Sequence, residues 1–131
     1  MLQRIKTLLE RNAFIIAIFN TVLIAVLSLG SLPKIDLGLH IHSKDKYLHA
    51  LAYFTLAFVW LFAFRNHFHI NKFKFSLLIL LTIYGIILEG MQGGLTSYRT
   101  ADMYDALANF IGILLALILF KKFIFWYNKT W

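Results

Sequence analysis

The chain of 131 residues contains no cysteine, one proline, six acidic residues and seven glycines. The missing cysteines exclude disulfides, thiolate metal sites, c-type haem attachment and a cysteine nucleophile, and they leave the redox compartment unread. With a single proline and long apolar runs, the chain is neither disordered nor of low complexity. Charged residues make up only 15%, hydrophobic ones 60% and aromatic ones 17%, a composition foreign to a water-soluble domain and suited to a bilayer. The formal net charge of +7 is divided among short segments between apolar runs. That distribution speaks for membrane orientation and against nucleic acid.

Crossing a hydrocarbon core of about 30 Å takes roughly 20 apolar residues in a helix. Four stretches meet that length: residues 13–32, which Pro33 terminates; 47–64, at the short end; 75–92, which the Gly93-Gly94 pair is predicted to break; and 101–120, whose polar start belongs at the interface. The first run exceeds a signal-peptide apolar region, and SLGSLPKI offers no A-x-A-like cleavage site, so it reads as a span. No repeat or linker divides the chain. It is predicted to be a single all-α domain over residues 1–131, a polytopic membrane protein built as a bundle of four transmembrane helices.

Basic residues orient the bundle. Arg4, Lys6, Arg11, Arg65, Lys72, Lys74, Lys121, Lys122 and Lys129 flank one set of span ends, whereas only Lys34, Lys44, Lys46 and Arg99 flank the other. Both termini and the middle loop are therefore predicted to be cytoplasmic, with Trp126, Tyr127 and Trp131 as an interfacial anchor. Of the acids only Glu10 falls on that side. Asp36, Asp45, Glu89, Asp102 and Asp105 collect at the outer ends.

Those outer ends carry polar residues at helical spacing. Lys46, His49 and Tyr53 share one face of the second helix, and Asp45 lies one turn before His49. Glu89 and Gln92 are three apart on the third helix, with Gly85 one turn below. On the fourth, Asp102, Asp105, Asn109 and Gly112 draw a polar stripe into the apolar run. Ser43 and Thr100 fit N-caps, and Asp45, Asp102 and Asp105 gain about 0.3–1 kcal/mol each from the helix dipole, so a bland account covers those aspartates. It does not cover Glu89, placed towards a helix C-terminus among Ile86, Ile87, Leu88 and Met91. A charge in a span costs about 2.5–3.5 kcal/mol or more and faces a partner in the bundle interior. Lys46, His49 and Arg99 are the candidate partners. With both cations and all four carboxylates ionised, the cluster is net anionic, and so favours a proton, a cation or an amine over a bare phosphate.

DKYLHALAYFTLAF, then EGMQ, then RTADMYDALANFIG, resembles the VanZ-like family of small bacterial membrane proteins. The matching positions are Asp45, Lys46, His49, Tyr53, Glu89, Gln92, Arg99, Asp105, Asn109 and, more loosely, Gly112, within residues 44–120. The family is named after a protein associated with low-level teicoplanin resistance. The resemblance implies a multi-pass protein of the bacterial cytoplasmic (inner) membrane, in the cell envelope.

The predicted function is binding of an envelope component by the outward polar cluster. Candidate components are a lipid-linked or peptidoglycan-related precursor and an amphiphilic antibiotic. Asp45, Lys46, His49, Tyr53, Glu89, Gln92, Arg99, Asp102, Asp105 and Asn109 are the predicted ligand-binding residues. Within that set Glu89 and Asp105 would take an amine or proton, Arg99 and Lys46 an anionic group, and His49 with Tyr53 hydrogen bonds. The alternatives are an integral membrane hydrolase or transferase with His49 or Glu89 as general acid/base, and an assembly partner locked by the network. Membrane lipids are the predicted partners, nucleic acid is not, and the oligomeric state is unread. No cofactor or metal is assigned, because His40 and His42 form no tight ligand pattern with His49 and Asp45 or Asp102. His67 and His69 sit in a basic, aromatic loop suited to anionic lipid head groups. Thr96 and Ser97 lack the setting of a serine hydrolase.

Overall fold

A computed structural model describes residues 1–29, 44–95 and 103–130, with the side chains of 44–46, 92, 93 and 95 outside the description. The described residues form four α-helices, α1 (Leu2–Leu29), α2 (Lys44–Ala63), α3 (Asn71–Leu95) and α4 (Met103–Thr130), with a 3₁₀ turn at Arg65–His67 between α2 and α3. Three of them, α1, α3 and α4, are long and apolar enough to cross a membrane. The apolar part of α2 is shorter, Tyr47–Ala63, at the short end as its sequence predicts, so of the four predicted spans three reach the length for crossing by themselves.

The helices also run past the predicted spans. α1 starts eleven residues before residue 13 and α4 continues ten beyond residue 120, because backbone hydrogen bonds persist after hydropathy falls at an interface. The Gly93-Gly94 pair does not break α3, which reaches Leu95. A glycine costs about 1 kcal/mol in a helix interior, and near an end this penalty leaves the helix intact.

α2 occupies the middle, touching α1, α3 and most extensively α4. Its Tyr53, Leu56, Ala57 and Leu61 are buried at i, i+3, i+4 and i+8, one continuous stripe. α4 answers with Ala108, Gly112, Ile113, Ala116 and Phe120. The fully buried Phe120 meets Phe58 at 5.1 Å and Phe68 at 5.0 Å between ring centroids. α1 is applied more thinly: only Ala13, Ala17 and Ile24 are buried, while Phe14, Ile15, Ile18, Phe19 and Val22 remain exposed. An apolar exterior of this extent is not a water-facing surface.

Hydroxyls inside these apolar helices are satisfied locally. Thr21, Thr55 and Thr82 each donate to the carbonyl four residues earlier, at 2.8, 3.0 and 2.7 Å. Thr21 does more, since its Oγ1 accepts from Trp60 Nε1 at 2.9 Å and its carbonyl accepts from Tyr84 Oη at 2.5 Å. One residue of α1 thereby ties that helix to α2 and α3. Beside it an apolar cavity of about 360 Å³ is lined by Trp60, Phe64, Phe73, Leu77, Leu81 and Tyr84.

At one end of the bundle the start of α1, the 3₁₀ turn and the end of α4 come together. Tyr127 Oη donates to Glu10 Oε1 at 2.7 Å, Arg65 Nη2 lies 3.7 Å from the same oxygen, and Lys6 Nζ sits 5.4 Å from the Tyr127 ring centre. The start of α2, the distal part of α3 and the start of α4 meet at the opposite end.

Candidate functional site

His49 on α2, Glu89 on α3 and Asp105 on α4 converge at that second end. Each offers a ligand atom, and the three atoms lie within 4.8 Å of one another. The antiparallel succession of helices explains the meeting. Asp105 stands in the first turn and His49 in the second turn of helices that leave this end, and Glu89 stands in a helix arriving at it.

His49 is held from two sides. Its Nδ1 is 3.1 Å from Asn109 Oδ1, and its Nε2 is 3.6 Å from Asp105 Oδ2. An amide oxygen only accepts, so Nδ1 carries the proton in that contact. Nε2 is left facing the carboxylate. The side chains of His49 and Asp105 retain 21% and 15% of their exposure, whereas Glu89 is 7% and Asn109 3% exposed. The cluster thus has an open rim and a buried floor.

Two glycines create the space. A Cβ on Gly85 would come within 3.1 Å of the Tyr53 ring and 3.2 Å of Asn109 Nδ2. The bare backbone of α3 therefore lets both side chains pack beneath Glu89. A Cβ on Gly112 would fall on the carbonyl oxygen of Ala50 and 2.9 Å from its carbon. α2 and α4 approach so closely there that a methyl group has no room. Ala50 follows His49 directly, so this contact sets the spacing of the cluster's two flanking helices. Sequence reasoning singled out Gly85 and Gly112 only by their spacing, and it missed Ala50. An alanine in an apolar helix carries no signal of a backbone approach.

Of the ten predicted binding residues, His49, Tyr53, Glu89, Asp105 and Asn109 are brought together. The buried Tyr53 (3% exposed) forms the floor and not the rim. The side chains of Asp45, Lys46 and Gln92, and the whole of Arg99 and Asp102, lie outside the described residues, as do His40 and His42. Asp105 lies in the first turn of α4, as the dipole argument requires. Glu89 does not lie in the last turn of α3, which continues to Leu95. The dipole is felt mainly within the terminal turn, so burial, not the helix end, is what makes Glu89 costly to place.

Chemically, the cluster offers one imidazole nitrogen and two carboxylates from three separate helices, with an amide orienting the ring. Such a set can bind a cation or exchange a proton.

No family model matches the chain, and no solved structure matches it. The chain is similar to a protein of fission yeast, Schizosaccharomyces pombe, described as uncharacterized protein C11E3.10, with 33% identity over 107 residues. The match covers 80% of this chain and 61% of that protein, so the chain spans about three fifths of its relative's length. These findings correct the VanZ-like resemblance. A relative in a eukaryote and the lack of a matching family model leave neither the bacterial family nor the bacterial inner membrane as the frame for this protein. Short polar motifs at helical spacing suit any bundle that faces a polar group inward, which is why they suggested a family that the comparison does not support.

Proposed function

We propose that this chain is an integral membrane protein whose polar cluster binds the head group of a membrane-borne amphiphile through a cationic centre. The whole bundle lies in the bilayer, α2 included, with both termini and the α2–α3 turn on the cytoplasmic side and His49, Glu89 and Asp105 towards the other face. The observation that carries this reading is the convergence of those three side chains, forty and sixteen residues apart in sequence, around one point with Glu89 buried. Ionisable groups at such depth face a bundle interior and mark binding or transfer sites. Two carboxylates beside one imidazole select a positive centre, either an amine or a metal ion carried with the head group. A lipid-linked precursor, with its polar head and apolar tail, has the required form, and the apolar flanks of α1 and α3 would meet the tail.

Mass spectrometry of amphiphiles retained by the purified full-length protein tests this. The wild type should retain a discrete amphiphile that Glu89→Gln loses while its melting temperature stays within a few degrees. Identical lipid profiles for the two proteins would refute the reading.

A second reading, an integral membrane hydrolase or transferase, is favoured by one detail. His49 is oriented by Asn109 and faces Asp105, the arrangement that a general base needs. Turnover of the retained amphiphile, abolished by His49→Ala, would distinguish it from simple binding.

A further inference from the structure

The geometry points to a site for one divalent transition-metal ion, which we propose is held by His49 Nε2 and the carboxylates of Glu89 and Asp105, with Asn109 as the residue that positions the imidazole. The proposal deepens the binding reading above by naming the cation, and it rests on that reading's premise that the cluster is a site.

Distance is the first argument. Ligand atoms that share an ion at about 2.0–2.2 Å stand about 3–4 Å from one another. The 3.6 Å between His49 Nε2 and Asp105 Oδ2 falls in that range, and is longer than the roughly 2.7–2.9 Å of a charge-assisted N–H···O bond. All three ligand atoms lie within 4.8 Å of each other, so a small inward adjustment of Glu89 closes the set.

The tautomer is the second. With Nδ1–H donating to Asn109 Oδ1, Nε2 presents a lone pair towards a carboxylate. A proton on Nε2 or a metal ion between the two atoms relieves the repulsion of facing acceptors, and the 3.6 Å separation, longer than a charge-assisted hydrogen bond, fits the metal ion better. A metal-bound histidine commonly passes its other N–H to a second group, which fixes both the tautomer and the ring plane. Asn109, 3% exposed and packed against Gly85, is itself locked in place.

Charge is the third. Two carboxylates attract a divalent ion, and a neutral imidazole donates to it without charge repulsion, so the three ligand groups are of the right sign and type for a cation beside the buried Glu89. Imidazole disfavours a pure preference for magnesium or calcium, and paired carboxylates disfavour copper(I), so the mixed nitrogen and oxygen set suits a divalent first-row ion such as zinc, iron(II) or manganese(II). Three protein ligands leave a coordination position open, where an anionic oxygen of the head group would bind.

The test uses full-length protein in detergent, stripped with a chelator, reloaded with Zn²⁺, desalted and measured by inductively coupled plasma mass spectrometry. About one ion per chain should be retained in the presence of excess Mg²⁺. His49→Ala and Asp105→Asn should each weaken binding at least tenfold, Asn109→Ala by about 10–100-fold, and His67→Ala/His69→Ala not at all. Should the ligand variants fail to fold, the wild type loaded with Mn²⁺ decides, because spin-echo modulation from a coordinated imidazole nitrogen must appear. Less than about a tenth of an ion per chain, or no nitrogen modulation, overturns the metal. If an amphiphile is nevertheless retained and lost in Glu89→Gln, the binding reading stands without it. Stoichiometric metal without any retained amphiphile supports the metal and removes the lipid head group.

Discussion

Asn109 on α4 and His49 on α2, sixty positions apart, meet through a 3.1 Å contact between amide oxygen and Nδ1. Everything proposed for the cluster passes through this bond, since it decides which ring nitrogen faces the carboxylates. Both groups are largely withdrawn from solvent, and loss of one partner leaves the other unsatisfied at a cost of about 1–3 kcal/mol. Asn109→Leu should therefore lower the melting temperature, and Asn109→Asp, which keeps an acceptor, should lower it less. Differential scanning fluorimetry of the three proteins checks the order.

The two kinds of glycine in the chain should respond oppositely. Gly112→Ala pushes a methyl into the Ala50 carbonyl, and overpacking of this kind costs about 1–3 kcal/mol or more because two backbones must part. At Gly90 a Cβ meets nothing within 4 Å, so Gly90→Ala should stabilise α3 by about 0.5–1 kcal/mol. Equal melting temperatures for the two variants would contradict the close approach of α2 and α4.

Thr21 anchors α1 through two donors from other helices. Thr21→Val removes the hydroxyl and leaves Trp60 Nε1–H without its acceptor, for an expected loss of about 1–3 kcal/mol. Thr21→Ser keeps the hydroxyl and should stay near wild type. Thermal unfolding followed by tryptophan fluorescence measures both.

Topology follows from the basic residues. Reporter fusions at the C-terminus and near Lys72 should report the cytoplasm, and those near Ile41 and Ser97 the opposite side. A cytoplasmic signal near Ser97 would reverse the proposed orientation.

The two carboxylates should separate in their effects. Asp105 lies in the first turn of α4, where the dipole favours an anion, so Asp105→Ala should reduce both stability and ligand retention. Glu89→Gln keeps shape and hydrogen-bonding capacity, and should reduce retention with little change in melting temperature. Comparison of retained ligand and melting temperature on the same preparations checks the pair.

What could be read in advance depended on the range of the interaction. Helical residues at i, i+3, i+4 and i+7 share a face whatever the tertiary fold, so the stripes through His49 and Tyr53 and through Asp105 and Asn109 were visible as patterns. The alternation of helix direction then brought them opposite Glu89. The helix ends were less legible, because hydropathy locates an apolar segment and not the point where backbone hydrogen bonding stops. α4 carries straight on through Lys121 and Lys122. The pairings at the termini end left no trace. Tyr127 looked like an interfacial anchor, Arg65 a topology signal and Glu10 a stray acid. They form one polar contact at the termini end because packing, not spacing, brings residues 117 positions apart together.

The contact between Gly112 and Ala50 has a mechanical consequence. When a bundle adapts to a thicker or thinner bilayer its helices re-tilt, and two helices that touch without room for a methyl pivot at that touch. Displacement then grows with distance along the helix, at about 1.5 Å per residue. Asn109 sits about 4.5 Å from the pivot and Tyr127 about 22 Å. A re-tilt of about 5° would move Asn109 by only about 0.4 Å, yet carry Tyr127 about 2 Å. The cluster of His49, Asp105 and Asn109 is placed beside the fulcrum, so its geometry is insulated from membranes of differing thickness while the termini end takes up the motion.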